Sequence, residues 1–526
     1  MVKVLIADKM HPIAEQVFAS RGIEADVRVG LSAEELADCI GDYDGLGVRS
    51  ATKVRDDVLA AATKLKVIGR AGIGVDNIDV AEATRKGVVV MNTPHGNAVT
   101  TAELTIAMLL GLARRLPQAN ASTHLGKWEK SRFMGTEITG KTLGIIGCGN
   151  IGSVVAERAV GLRMRVVAYD PFLSADRATE MGVLTGTLDD VLEQSDFITL
   201  HTPMTDTTRG LINAAAMAKM KPGVRLINCA RGGLIVEADL RQAIEDGHVG
   251  GAALDVFEKE PAKENVLFGL DEVIVTPHLG ASTSEAQEKV AEQMAGQMAD
   301  FLLTGVVTNA VNLPSVSPEE ALRLQPYRRL AEQLGLFAGQ VIESAITRVK
   351  IEYAGHAASI DTQHLTSVVL AGLMSPFLNA VNAVNAPTLA KEREIDLTET
   401  TRERAVGYQT LIRLTVESQL QNFSVSGTLF DTEPLIADVQ GVPLDATLAA
   451  NMIFLESTDK PGVIGAIGTF LGEAGTNITS FHLGRRTAGG EASCLIEVDD
   501  APGQELLAAL QDLPQVARVR SLSFEI

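Results

Sequence analysis

The chain has 526 residues, 46% of them hydrophobic and 21% charged, which excludes a disordered polymer and exceeds what one hydrophobic core usually supports. Its 46 basic and 66 acidic side chains leave a net charge of −20, which disfavours non-specific binding to nucleic acid or to an anionic membrane surface. No run reaches the ~20 apolar residues of a membrane span, MVKVLIADKM lacks a signal-peptide core, and Cys39, Cys148, Cys229 and Cys494 show no CxxC spacing. The expectation is a cytoplasmic protein with reduced thiols and no metal centre.

From Val2 to about Asn92 the apolar runs VKVLIAD, YDGLGVRS, LKVIGRAG and VVVMNTP alternate with polar helical patterns. That rhythm predicts parallel βα units. Thr100 to Leu116 carries Leu104, Ala107, Met108 and Leu112 at a helical period and predicts a long buried helix. A second α/β series begins at Lys141 and continues through RVVAYD, DFITLHTP, VRLINCARGG, GGAALDVFEKEP and EVIVTPHLGAS, each with polar or glycine-rich residues at its C-terminal end. Ligands sit at that edge of open parallel sheets. A helix is expected from about Ser282 to Leu303, then a boundary near residue 306 in turn-rich NAVNLPSVSP.

Residues from about 307 to 450 predict a mixed α/β domain, with helices around Leu322 to Phe337 and Thr366 to Val384 and strands near Phe423 to Phe430. The last stretch reads as strand NMIFLES, helix PGVIGAIGTFLGEAG, strands NITSFHLGRR and EASCLIEV, a helix near Gln504 to Leu513, and strand ARVRSLSFEI. This βαββαβ order is that of a ferredoxin-like sandwich.

Gly147, Gly149 and Gly152 form GxGxxG between an apolar strand and a helix, and Asp170 lies eighteen positions beyond Gly152, at the end of the next strand. In that context the motif predicts a dinucleotide site: Gly147 for the tight turn, Gly149 for approach to the pyrophosphate, Gly152 for close helix packing. The free amides of the helix N-terminus favour phosphate. An acid at Asp170 accepts hydrogen bonds from both ribose hydroxyls and repels a 2′-phosphate, which predicts NAD over NADP.

Hydride transfer from an alcohol needs a base, and two of the nine histidines, His201 and His278, directly follow strands. A carboxylate partner would separate them, and Glu258 and Glu260 in DVFEKEP both precede His278. Spacing does not choose between the two glutamates. Arg231 in NCARGG, at the same sheet edge, suits a substrate carboxylate because its planar fork matches two oxygens.

GCGNIG with Asp170, NCARGG, LDVFEKEP and TPHLGAS together resemble the D-isomer-specific 2-hydroxyacid dehydrogenases, over residues 1 to about 306. GRAGIGVDNID, NTPHGN, GKWEKSRFMGTE and GAALDVFEKEP are most similar to the branch acting on D-3-phosphoglycerate. The resemblance implies catalysis by Arg231, Glu260 and His278, with His278 as base, Glu260 holding its imidazole, and His201 a mere neighbour of the cofactor. It also places Asn150, Ile151, Asp170, Thr202, Cys229, Ala230, Asp255, Gly280 and Ala281 around NAD, and Arg49, Ser50 and Asn97 against the substrate. Lys130 and Arg132 are further candidates for the phosphate, from a neighbouring subunit, beside the plainer reading of a solvated charge run.

The segment STDKPGVIGAIGTFLGEAGTNITSF resembles an ACT domain, and the middle domain is similar to the intervening domain of the same branch. This implies a regulatory effector, L-serine, with Asp459 and Asn477 as its candidate contacts, and a homo-oligomer, dimer or tetramer. The fold expected is α/β: two Rossmann-like parallel-sheet lobes, a mixed intervening domain and a ferredoxin-like ACT domain. The units are 1–95 with 283–306 (substrate lobe), 96–282 (NAD domain), 307–450 and 451–526. The implied activity is oxidation of D-3-phosphoglycerate to 3-phosphohydroxypyruvate, the first step toward L-serine. Another D-2-hydroxyacid dehydrogenase, or an NAD-sensing corepressor-like binding protein, are the alternatives.

Overall fold

The structure is a computed structural model that describes residues 1–94, 96–314 and 318–524. His95 of NTPHGN, residues 315–317 after NAVNLP, and the last two residues of ARVRSLSFEI lie outside the described residues.

The first apolar runs form a parallel sheet of β1 (Lys3–Ile6), β2 (Glu24–Val27), β3 (Gly45–Val48), β4 (Val67–Arg70) and β5 (Val89–Met91), in the order β2-β1-β3-β4-β5. Strand β2, EADV, was not legible in the sequence because it is a half-exposed edge without an apolar run. The helix Ser284–Thr304 lies on this sheet, with Met294 and Met298 in its core. Close approach depends on Gly69 of β4, where an added Cβ would meet Met298 Sδ at 2.2 Å. Chain distant in sequence therefore completes the first lobe.

The second sheet holds β6 (Thr142–Ile146), β7 (Arg165–Tyr169), β8 (Leu184–Thr185), β9 (Phe197–Leu200), β10 (Val224–Asn228), β11 (Val249–Leu254) and β12 (Val273–Val275). All pairs are parallel, in the order β12-β11-β10-β9-β6-β7-β8. The order reverses beside β6, so the glycine turn after it opens at the switch point where such sheets bind ligands. The helix Ala98–Arg114 contributes Met108, Leu109 and Leu112 to this lobe's core. Thr101 Oγ1 donates to Gly280 O at 2.8 Å, tying together the two segments that cross between the lobes.

Residues 346 to 446 form a six-stranded sheet from β13 (Ile346–Gly355), β14 (Asp396–Arg402), β15 (Thr410–Ser418), β16 (Asn422–Phe430), β17 (Glu433–Val439) and β18 (Val442–Ala446), ordered β14-β13-β15-β16-β17-β18. The helices Pro318–Val341 and Thr362–Met374 pack against it and each other. The expected helix over Thr366 to Val384 thus starts earlier and stops at Met374; Pro376 lies just beyond its end, where helices commonly terminate. Most strands here were missed because polar residues such as those of DLTETTR interrupt the apolar pattern.

The last unit pairs β19 (Asn451–Thr458), β20 (Ile478–Arg485), β21 (Glu491–Val498) and β22 (Val516–Ser523) antiparallel in the order β20-β21-β19-β22, the ferredoxin-like arrangement. Alternation along β19 sends Ile453 and Leu455 to the helices Val463–Glu473 and Gln504–Gln511. It sends Met452 and Phe454 the other way, into the core of the middle domain, where Phe454 meets Phe337 edge to face at 5.4 Å. The two C-terminal units thus share a core. Among the described residues no helix is long and apolar enough to cross a membrane.

Candidate active site

A cleft of about 580 Å³ opens between the first two lobes, lined by Arg49, Ser50 and Arg70 from one side and by Glu260, His278 and Ala281 from the other. His278 Nδ1 lies 2.7 Å from Glu260 Oε2, while Glu260 Oε1 accepts from Phe257 N–H at 3.0 Å. That settles the choice the spacing left open: the glutamate on the imidazole is Glu260, whereas Glu258 donates its backbone N–H to Glu237 Oε1 at 2.9 Å. Burial acts to raise the Glu260 carboxyl, but the bonds from His278 and Phe257 and the charges of His278 and Arg231 outweigh it and hold the group below the usual glutamate range.

His278 has φ +56°, a conformation uncommon for a residue other than glycine. Asp255 holds it there. Its carbonyl accepts from His278 N–H at 2.9 Å, and its carboxylate accepts from Thr276 Oγ1 (2.7 Å), Leu279 N–H (2.6 Å) and Gly280 N–H (2.9 Å). Asp255, expected near the cofactor, is fully buried and gives its carboxylate to this loop. Burial raises its carboxyl above the ordinary range, opposed by those bonds. His201 is not near a carboxylate partner: Nε2 shares a proton with Thr199 Oγ1 at 3.0 Å and Nδ1 has no partner. Burial pushes its imidazole down to about 3, so it is neutral at physiological pH.

Arg231 Nε donates to Asp76 Oδ2 at 2.9 Å and Nη1 donates to Ala230 O at 2.7 Å, so this side chain reaches from the second lobe to the first. Arg49 is seated by Nη1 on Lys9 O at 3.0 Å and by its amide on Asp8. A third arginine, Arg70 at the end of β4, was not selected from the sequence, although GRAG ends an apolar strand as NCARGG does. It is largely enclosed, its Nε has no partner, and burial together with the nearby charge of Arg231 lowers its guanidinium to about 10, with Asp76 acting in the opposite sense. Arg49 and Arg70 line the cleft, and Arg231 lies close enough for its charge to act on Arg70 and Glu260, so together they create a field for a substrate with more than one negative charge. Asn97 is buried with Oδ1 unpartnered, close to the crossing between lobes.

The glycine turn has the form its sequence implied. Gly147 has φ +91°, and a Cβ there would strike the backbone of His201 and the side chain of Thr202 at 2.8 Å; nothing lies within 4 Å of the corresponding position at Gly149; a Cβ at Gly152 would meet Gly147 O at 2.1 Å. Asp170 ends β7 with Oδ2 accepting from Cys148 N–H at 2.7 Å. Thr202 Oγ1 is buried without a partner, Asn150 Nδ2 reaches Pro94 O at 3.3 Å, and Ile151 packs on the lobe's core. Open room above Gly149 beside an orphaned hydroxyl and an acid at the next strand end fits a dinucleotide. Cys229 and Ala230 are both buried at the end of β10.

Asp459 and Asn477 are not brought together within the chain. They flank the helix Val463–Glu473, about 16 Å long at ~1.5 Å per residue. Asp459 Oδ2 accepts from Arg485 Nη1 (2.8 Å) and Gly489 N–H (3.0 Å), and Asn477 Nδ2 donates to Asp499 Oδ2 (2.9 Å). Lys130 and Arg132 sit on a short 3-10 turn where Arg132 pairs with Glu129 and Asp271.

Proteins named D-3-phosphoglycerate dehydrogenase match this chain almost end to end: that of Methanocaldococcus jannaschii is 42% identical over 521 residues, and that of Bacillus subtilis 41% over 527, each covering 99% of both chains. The chain belongs to the D-3-phosphoglycerate dehydrogenase family. Within it, residues 106–280 match the D-isomer specific 2-hydroxyacid dehydrogenase NAD binding domain, 323–440 the D-3-phosphoglycerate dehydrogenase intervening domain, and 451–515 the ACT domain. Solved structures similar to the catalytic lobes include a Thermus thermophilus protein at 33% identity and TM-score 0.54, and an Aquifex aeolicus D-lactate dehydrogenase complexed with NAD and lactic acid at 28% and 0.53. Each covers 59% of this chain and 100% of its own. The two C-terminal units are thus what this family member has beyond those shorter structures.

Proposed function

We propose that this protein oxidises D-3-phosphoglycerate at C2 to 3-phosphohydroxypyruvate, the first step toward L-serine, with His278 as base. The observation that carries the reading is the His278–Glu260 pair facing Arg49 and Arg70 across one cleft, with the charge of Arg231 close to both Arg70 and Glu260. NAD, when bound, supplies the hydride acceptor. Arg231 would hold the C1 carboxylate and orient C2, His278 would take the hydroxyl proton, and Glu260 would stabilise the charged imidazole that results. Arg49, Arg70 and Ser50 would receive the phosphate, and Asn97 would lie near the substrate. Gly147, Gly149, Asn150, Ile151, Gly152, Asp170, Thr202, Cys229, Ala230, Gly280 and Ala281 would surround the cofactor, with Asp255 acting through the loop it holds. The test is turnover of D-3-phosphoglycerate by wild type and by His278→Asn, with NADH affinity measured by fluorescence: turnover should vanish in the variant while binding stays.

We infer further that the substrate lobe is residues 1–95 with 283–306, that the units 96–282, 307–450 and 451–526 follow, and that the enzyme works in the cytoplasm as a homo-oligomer. All four cysteines are free, and Trp128, 87% exposed, and Met134, 79% exposed, project from one segment of the second lobe as apolar surface asking for cover. Light scattering would report a monomer if that were wrong. L-serine as effector rests on the ACT domain match. Because Asp459 and Asn477 lie at opposite ends of a helix, they would serve separate contacts, and Asp459→Ala should weaken any inhibition by L-serine; unchanged inhibition removes Asp459 from the assignment.

A further inference from the structure

The loop after β4 seats two of the three arginines through its glycines. The space a Cβ would take at Gly72 is filled by Arg70 Nη1, and that at Gly74 by Arg231 Nη2, each 1.7 Å from the ideal position. Where the loop backbone goes, both guanidiniums follow. Its peptide groups are in turn held from behind: Thr93 N–H donates to Gly72 O at 3.0 Å, and Asn92 Nδ2 donates to Ile73 O at 2.6 Å.

Asn92 is itself fixed by a buried amide on the long helix. Gln297, 5% exposed, donates from Nε2 to Asn92 O at 2.8 Å and accepts at Oε1 from Asn309 Nδ2 at 3.1 Å. Asn309 closes the circuit, since its carbonyl accepts from Asn92 N–H at 3.1 Å. It stands at φ +52°, a region asparagine tolerates better than most residues, at the start of the segment leading to the intervening domain. Both polar atoms of the Gln297 side-chain amide are used in this circuit. A buried amide left unsatisfied is costly, so the three residues hold one another in a single arrangement.

We propose that Asn92 and Gln297 are positioning residues for substrate recognition: with Asn309 they form a polar relay that sets the Gly72–Gly74 loop, hence Arg70 and Arg231, and ties that setting to the linker of the C-terminal domains. The inference rests on the reading of the cleft as the phosphoglycerate site. Its readout is a split between constants. A loosened loop weakens the hold on the anionic substrate but leaves the glycine turn at Gly147 and the NADH site alone.

The test compares full-length wild type, Asn92→Ala and the near-isosteric Gln297→Met. Both variants should raise KM for D-3-phosphoglycerate about tenfold while the NADH dissociation constant stays within about twofold, as expected for losing a hydrogen bond that orients a charged group. Combined with Asp76→Asn, either variant should give less than the product of the single effects, because all act through one loop. KM unmoved in variants that fold, NADH affinity falling in step with KM, or full additivity with Asp76→Asn would each overturn the relay. If Asn92→Ala fails to fold, Asn309→Ala, at the partly buried start of the linker, carries the same expectation. Absence of turnover in wild type would instead refute the activity itself, which keeps the two failures apart.

Discussion

Arg231 Nε lies 2.9 Å from Asp76 Oδ2, an ion pair between the two lobes in which the arginine side chain is 27% exposed and the aspartate 64%. A pair with one partner so exposed contributes only ~1 kcal/mol or less, so a substrate carboxylate can take over the guanidinium without a large cost. Asp76 then acts as a rest position for Arg231. Arg231→Lys, which cannot present two parallel N–H groups, should lose about 100-fold in kcat/KM, whereas Asp76→Asn should lose about tenfold at most, mainly in KM. Steady-state kinetics decide it; equal losses would make Asp76 part of the substrate contact.

Removing the imidazole partner should separate chemistry from binding. Glu260→Gln keeps a hydrogen-bond acceptor at 2.7 Å from His278 Nδ1 but removes the charge that would stabilise the imidazolium. A fall in kcat of about 100-fold is expected, within the ~10²–10⁴ range of general acid–base catalysis, with NADH affinity retained. Glu258→Gln should change little.

Cofactor choice should rest on Asp170. Wild type should bind NADH well ahead of NADPH, and Asp170→Ala should lose most of that preference, chiefly by weakening NADH. Fluorescence titration of both nucleotides measures it. An unaltered ratio would assign the discrimination to other groups.

His201 gives a pH-dependent stability. Folding encloses it as the neutral imidazole, lowered to about 3 from 6.5, so the unfolded chain binds one more proton than the folded one between those values. The sign follows: stability is lost as pH falls below about 6.5, at up to ~1.4 kcal/mol per pH unit from this residue, and the loss levels off near pH 3. His201→Gln should flatten the decline of the unfolding midpoint between pH 6.5 and about 4.5 relative to wild type. Parallel curves would mean that His201 is not enclosed. The same variant should keep most of its turnover, since His201 has no carboxylate partner.

Legibility from sequence tracked how much of the fold repeats a simple pattern. The β-turn-helix of GCGNIG and the strand-end positions of Arg231 and His278 were readable because parallel sheets bury continuous apolar strands and leave ligand groups at their ends. Arg70 sits at such an end too, but nothing in GRAG distinguishes a seated arginine from a solvated one. The hold that Asp255 has on His278 at positive φ was not legible, because it is a matter of backbone geometry that side-chain type does not encode. Asn92, Gln297 and Asn309 are separated by up to 217 positions along the chain and meet only through the returning helix Ser284–Thr304. Edge strands such as EADV and DLTETTR escaped for the opposite reason, having too little buried surface to leave an apolar signature.

The central claim is that three arginines and the His278–Glu260 pair recognise and oxidise a phosphorylated 2-hydroxy acid. It is tested most directly by following NADH formation by purified protein with NAD and D-3-phosphoglycerate, the keto product being trapped, beside D-lactate, D-glycerate and D-2-hydroxyglutarate. Selective turnover of D-3-phosphoglycerate, lost in Arg70→Ala far more than turnover of any unphosphorylated acid, is the expected result. Preferred turnover of an unphosphorylated acid, or tight NADH binding with no turnover on any of them, would contradict it.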